Sequence, residues 1–480
     1  MDSLGKLDEL AVIGVDPARA RVYTEGWQSW SVTGVFPVTA PPPPVTWPDS
    51  LVIDCQYRRS APGKVFQGSG VLAVDPGDGR SVTVFGAPPG LPDGVPVIQA
   101  ALRGSALVVS SDAPVTELAG NGPGGPGGLP AALGRWADGF SSGAGLPRPP
   151  VMPPVWCSWY QYFSDVTEAD VLANLDAMAA LDLPVGIVQV DDGYEARVGD
   201  WLLSSGKFRD LPGLIGRIRA AGRRAGIWIA PWLVGMSSEL FAAHPDWVVR
   251  DPASGEPVWA GNVCRDDCAA LDLTHPGAAA YLRGVLQTMR GWGIDYFKID
   301  FCYAGAYEGR RRGPVPGARP QPAPGPASGP AAEPASGEPA SGVAAYRYGL
   351  GLIREAIGPD ALLVGCGAPS LASAGLVDAM RVGPDIAANY EPDRPHPSLP
   401  SQRNAARNVI ARSWQHGRFW NNDPDCLMLR PGIERREDWA SVVRDFGGLR
   451  SSGDGLLQLD DWGLETTRSL LVPSSPGLLS

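Results

Sequence analysis

Histidine is the scarcest reactive residue. The 480-residue chain holds four, His244, His275, His396 and His416, thin material for a histidine-based metal site or a Ser-His-Asp triad. Cysteine is sparse too. Seven dispersed residues are an odd number, which argues against a disulfide framework and for reduced thiols in the cytoplasm. Cys264 and Cys268 are the closest pair, but no second pair or nearby histidine completes a zinc set, so no metal is expected. Long apolar runs are lacking: nothing approaches the roughly 18 to 20 residues of a membrane span. The opening MDSLGKLDELAVIGVD has no basic stretch leading into an apolar run, so no secretory signal is expected. Positive charge is not in excess either. A formal net charge of −11 repels nucleic acid and anionic lipid, which excludes both as partners and leaves neutral small molecules.

What the chain does have is tryptophan, 16 residues, and apolar residues at 44%, enough for a large core. Its length suggests two domains. Residues 1–145 carry short alternating runs, ARVYTEG, SLVIDCQYR, GVLAVDPG, SVTVFGA and ALVVSSDA, bounded by Gly, Pro or Asp. Such spacing predicts an N-terminal β-sandwich. GNGPGGPGG (120–128) reads as a linker, and AALGRWADGFSSG as a helix leading onward. From residue 150 to 470, apolar strand-like runs alternate with helical stretches. The runs are VWCSWY, GIVQVDD, AGIWIAP, YFKID, LLVGCG, AMRVGPD, RFWNNDPD and LLQLDD. Eight such units closing on themselves make a (β/α)8 TIM barrel, and the chain reads as α/β in its larger part. Residues 313–342 are a low-complexity Pro/Ala/Gly/Ser insertion after the fourth strand, expected to be disordered.

The runs end in polar residues: Trp159–Tyr160, Asp191–Asp192, Trp232 just past the third, Lys298 and Asp300, Cys366, Arg381 and Asp385, and Asn422, Asp423 and Asp425. In a barrel these ends meet around one pit. Two carboxylates facing one glycosidic bond supply both roles of glycoside hydrolysis, attack and proton donation. Lys298 lies two residues before Asp300, so both side chains share a face and the cation favours an ionised, nucleophilic carboxylate. Arg381 precedes Asp385 by four, with Pro384 interrupting regular strand geometry. Plainer readings stay open for each motif alone. Asp191–Asp192 before Gly193 is also a turn, KID a structural ion pair, NNDPD an Asx-rich loop and WCSWYQYF an aromatic core.

Taken in order, WCSWYQYF, VQVDDGYEARVGDW, GIWIAPW, HPDWVV, YFKIDFCYAGA, GCGAP, DAMRVGPDIA and RFWNNDPDCLMLR resemble the successive motifs of glycoside hydrolase family 36, the melibiase-type α-galactosidases. GWQSWS (26–31) is similar to that family's β-domain motif. The resemblance implies Asp300 as nucleophile and Asp385 as general acid/base in a retaining double displacement. Asp191 and Asp192 would bind the galactose 4-OH and 6-OH. Lys298, Arg381 and Cys366 would line the subsite, with Trp232, Trp159 and Tyr160 as aromatic walls and Trp30 closing the pocket from the N-terminal domain. It implies no cofactor, small α-galactosides such as melibiose or raffinose as substrates, and an Asp385 that starts protonated near neutral pH. The family's C-terminal antiparallel β-domain is expected to be missing, because the chain stops soon after the eighth run. Rival expectations are an α-N-acetylgalactosaminidase, a raffinose-synthase-like galactosyltransferase, a sugar-binding barrel without catalysis, and a metal-dependent enolase-like barrel.

Overall fold

The computed structural model describes residues 7–42, 65–91, 94–119, 128–313, 315 and 341–474. The N-terminal part is two antiparallel sheets. One orders Asp8–Gly14, Ala106–Ser111, Val97–Arg103 and Val65–Ser69; the other orders Gly34–Pro37, Arg21–Thr24, Val71–Asp75, Thr83–Gly86 and Thr116–Ala119. Alternation along each strand sends one side chain in two inward. Val22, Leu72, Val74 and Phe85 of one sheet thus meet Phe66, Ile98, Leu107 and Val109 of the other in a closed apolar layer, the sandwich expected. The SLVIDCQYR run, and GNGPGGPGG apart from Gly128, lie outside the described residues. Helix Gly128–Ala144 follows, burying Leu133, Trp136 and Phe140.

The larger part is an eight-stranded parallel sheet: β1 (Val155–Cys157), β2 (Ile187–Val190), β3 (Arg224–Ile229), β4 (Ile294–Ile299), β5 (Leu362–Gly365), β6 (Ala379–Arg381), β7 (Asn421–Asp423) and β8 (Ser451–Ser452). The order runs β7-β6-β5-β4-β3-β2-β1-β8. The amides of Gly448 and Leu449, just before β8, donate to Asn422 O of β7 at 3.0 and 2.8 Å, drawing the two edges together into the TIM barrel. Val155, Ile187, Tyr296, Val364 and Ala379 pack as an apolar floor. Two residues further along the same strands, Cys157, Gln189, Lys298 and Arg381 carry the polar layer above it.

Three features depart from the sequence reading. LLQLDD is not the eighth strand: Leu456–Gln458 is a 3₁₀ turn with Leu457 73% exposed, and Asp460 caps helix Asp461–Leu470. The strand is Ser451–Ser452, paired with Val155 and Trp156 of β1. The β5–β6 link holds a 3₁₀ turn, Leu371–Ser373, in place of an outer helix. Against that link sits the N-terminal loop, through a Gln28–Pro369 bridge and Ser370 N donating to Trp27 O at 2.9 Å. Third, the β3 crossover carries an antiparallel hairpin, Trp259–Val263 with Asp266–Ala270. Of the Pro/Ala/Gly-rich stretch, residues 314 and 316–340 lie outside the described residues, and Gly342 already begins helix Gly342–Ile357. No helix among the described residues is long and apolar enough to cross a membrane.

Candidate active site

A cavity of about 350 Å³ opens at the C-terminal ends of the barrel strands. Asp191, Asp192, Trp228, Lys298, Asp300 and Asp385 form its walls.

Asp300 directly follows β4, and its amide donates to Ile229 O of β3 at 2.9 Å, continuing the sheet by one residue. Phe301 then turns left-handed at φ 49°, and its amide bends back to Asp300 Oδ1 at 2.7 Å. Trp228 Nε1 donates to Oδ2 at 3.1 Å, and Lys298 Nζ stands 3.9 Å from the same oxygen. Lys298 is closer to Asp191, at 3.0 Å, than to the neighbour its sequence spacing suggests. Burial opposes its charge, but Asp191 and Asp300 together hold the ammonium well above its ordinary pKa.

Asp191 is held on both oxygens. Besides Lys298, its Oδ2 receives Gln189 Nε2 at 2.5 Å and the Cys157 thiol at 3.3 Å, while Oδ1 receives the Asp192 amide at 3.0 Å. Such a carboxylate is rigidly aimed, as a substrate-binding group needs to be. Asp192 instead receives the Cys264 thiol at 3.2 Å and lies beside Glu195. Asp192, Glu195 and Cys264 bring three metal-ligand-type atoms within 4.8 Å. Burial and the neighbouring Asp192 push both the Glu195 carboxyl and the Cys264 thiol up, and the thiol donates to Asp192. A metal here would have to compete with the protonated forms that these shifts favour.

Across the cavity, β6 ends at Arg381, and Asp385 follows on a loop rather than on the strand. The two still meet: Arg381 Nη1 donates to Asp385 Oδ1 at 2.8 Å. Arg381 also pairs with Asp425 at 2.9 Å and Asp423 at 3.5 Å, so one buried guanidinium serves three carboxylates. Asp385 keeps a third of its side chain open to the cavity. Burial raises its pKa; Arg381 and Lys298 oppose that rise and Asp300 adds to it. Asp425, left-handed at φ 94° and fully buried, is pushed by burial up to about 7. It accepts from the Tyr160 hydroxyl and from the Ile386 amide at 2.9 Å.

Trp30 reaches this barrel cavity from the other domain. Arg412 receives the loop that carries it: Nε pairs with Glu25 at 2.7 Å, and the guanidinium donates to the carbonyls of Gln28 and Ser29 at 3.0 and 2.8 Å. Asn408 Nδ2 holds Ser29 O and Ser31 O, and Ser29 Oγ donates to Arg381 O at 2.7 Å. The indole then packs edge-on against Phe301 at 5.5 Å. Gly367, at φ 54°, leaves room for it; a Cβ there would come within 3.0 Å of the ring.

Of the residues singled out from sequence, Asp191, Asp192, Lys298, Asp300, Asp385, Trp159 and Trp30 line the cavity. Arg381, Tyr160 and Cys366 stand behind its surface, buried at 3%, 3% and 1% exposure, and act on it through Asp385, Asp425 and the β4–β5 backbone. Trp232 is a correction. It falls in the turn Ala230–Leu233 beyond β3, and its ring packs on Tyr346 at 5.0 Å, away from the cavity. Trp228, within the strand and in register with Lys298, is the aromatic wall from this strand. Sequence reading also passed over Phe301, Tyr303 and the hairpin tip from Gly261 to Arg265. Inward parity with Lys298, given the end of the strand, would have found Trp228; the turn Cys264–Arg265, with neither glycine nor asparagine in it, offered little.

Residues 148–307 match the family described as Melibiase. Among curated proteins, the bifunctional alpha-galactosidase/sucrose kinase AgaSK of Mediterraneibacter gnavus is 35% identical over 101 residues, 19% of this chain and 11% of that protein. An alpha-xylosidase of Emericella nidulans is 28% identical over 178 residues, 35% of this chain and 21% of its own. The matched stretches thus span only 21% and 11% of these relatives' own lengths. Among solved structures, TtGalA, an alpha-galactosidase from Thermus thermophilus in complex with p-nitrophenyl α-D-galactopyranoside, superposes with TM-score 0.74 at 26% identity, covering 98% of this chain and 95% of that one. Residues 148–307 thus carry a Melibiase-type segment, and the sandwich-plus-barrel plan is similar over nearly its whole length to that of the Thermus thermophilus alpha-galactosidase.

Proposed function

We propose that the protein hydrolyses terminal α-galactosyl residues with retention of configuration. Asp300 attacks the anomeric carbon while Asp385 gives its proton to the departing oxygen. The glycosidic bond breaks and an ester to Asp300 forms. Asp385 then takes a proton from water, which attacks the same carbon and frees Asp300. The observation carrying this reading is that Asp300 and Asp385 line one cavity in unlike surroundings. Asp300 faces an ammonium and two N–H donors; Asp385 is held toward its protonated form by burial. Asp191, Asp192 and Lys298 supply hydroxyl-binding groups, and Trp30, Trp159 and Trp228 the apolar faces that a sugar ring stacks on. The likeness to a structure described with an α-galactopyranoside supports galactose as the glycone. The six described cysteines are all unpaired, which supports a reducing compartment such as the cytoplasm. The test is a panel of aryl α-glycosides differing only at positions 2 and 4. The α-galactoside should be cleaved fastest, with α-galactose as first product. Preference for the 2-acetamido sugar would replace the reading with an α-N-acetylgalactosaminidase.

A further inference from the structure

Beside the catalytic cavity lies a second, larger one of about 790 Å³. Ser164, Asp192, Cys264 and Arg265 line both. The second cavity has a definite side. Asp192 follows β2 and Asp385 follows β6, four places apart in an eight-stranded barrel and hence opposite each other. With Asp385 serving the leaving group, the space past Asp192 lies beyond the far end of the glycone. This orientation rests on the function proposed above.

The wall between the cavities is made by the tip of the Trp259–Val263/Asp266–Ala270 hairpin. Val263 pairs with Asp266, so Cys264 and Arg265 form a two-residue turn, at φ 53° and 64°. Glycine or asparagine suits that turn; a cysteine and an arginine are strained there. Strain of this kind persists where the side chains serve a purpose. Here Cys264 reaches back to Asp192 Oδ2 at 3.2 Å and closes the gap. We propose that Cys264 and Arg265 are specificity-determining residues that seal the glycone pocket on its non-reducing side and restrict cleavage to terminal sugars. The excluded class is glycosides whose sugar carries a neutral alkyl or glycosyl group on the hydroxyls nearest Asp192. The space behind the wall disfavours anionic groups and admits neutral polar ones: Asp165, Asp192, Glu195, Asp200, Glu239 and Asp266 outnumber its three cationic residues. Exclusion by a wall is discrimination against the wrong substrate, not tighter binding of the right one.

The test compares kcat/KM for 4-nitrophenyl α-galactoside with its 4-O-methyl and 6-O-methyl ethers, in the full chain and in Cys264→Gly/Arg265→Gly. Glycine relaxes both backbone positions, so the variant should fold; Cys264→Ala, which keeps a Cβ, is read in parallel. Wild type should cleave both ethers at least about 1000-fold more slowly than the parent. The glycine variant should raise the relative rate of one ether at least tenfold, with Cys264→Ala moving it in the same direction. A wild type that cleaves the ethers as readily as the parent overturns the proposal. So do folded variants whose ether-to-parent ratio is unmoved, or that are inactive on all three substrates. Failure of wild type on the parent itself would instead sink the proposed function, and this inference with it.

Discussion

Asp300 and Asp385 are the same residue type in the same cavity, each beside a buried cation, yet they are built differently. Asp300 sits on the end of a strand and receives a backbone amide and an indole N–H besides standing near Lys298. Asp385 sits on a loop past β6, and the hydrogen bond that aims it comes from Arg381. Arg381 is itself divided among Asp385, Asp423 and Asp425. Donors gathered on both oxygens suit a group that works ionised. Burial, opposed only in part by a cation shared among three carboxylates, suits one that works with its proton on. The difference lies in the number and origin of the partners, and the tasks proposed for the two acids rest on it.

That contrast can be broken in several ways. Asp300→Asn should lower kcat by at least about 10⁴-fold on an aryl α-galactoside while substrate analogues still bind; near-wild-type turnover would end the nucleophile assignment. For Asp385→Ala, losses of about 10² to 10⁴-fold are expected on poor leaving groups, and little on activated aryl substrates. Equal losses on both would remove the acid role. The descending limb of the kcat/KM profile should follow the protonated Asp385, with activity falling as pH rises through its raised pKa. Trp228→Phe deletes one donor to Asp300 and should cost roughly 10 to 100-fold in kcat, with KM nearly kept. The smallest effect is on stability. Asp425 is pushed up to about 7, so its proton is held more tightly in the folded state. Its contribution is full below the ordinary carboxyl pKa of about 4 and is lost as pH rises toward 7. Urea midpoints for Asp425→Asn should fall less steeply than wild type across that range.

The barrel and its polar rim were legible because parallel strands buried on both faces read as apolar runs, and the runs stop at polar residues. KID ends β4 in one step, so Asp300 followed from spacing plus motif. Asp385 depended on the motif, because strand parity stops at Arg381. Trp232 and Trp228 show the limit: both are tryptophans near one strand end, and a parity argument selects Trp228 only once the strand is known to stop at Ile229. LLQLDD misled because its leucines satisfy an apolar pattern while the true β8 is two serines. The support beneath Asp191, from Cys157 and Gln189, lay in plain period-two alternation but looked like ordinary buried strand. Arg412 and Glu25 were out of reach, separated by 387 residues and matched only by folding.

The absent outer helix between β5 and β6 bears on how the two halves can be handled. The sandwich's loop fills that notch and brings its indole to the catalytic rim, so the barrel borrows part of its own wall. Cutting the chain near residue 145 would strip Arg412 of its Glu25 carboxylate and of the loop that covers it, and leave the cavity without its Trp30 wall. Engineering here has to treat sandwich and barrel as one machine with a single moving inventory of parts, not as a removable accessory bolted to a self-sufficient catalyst.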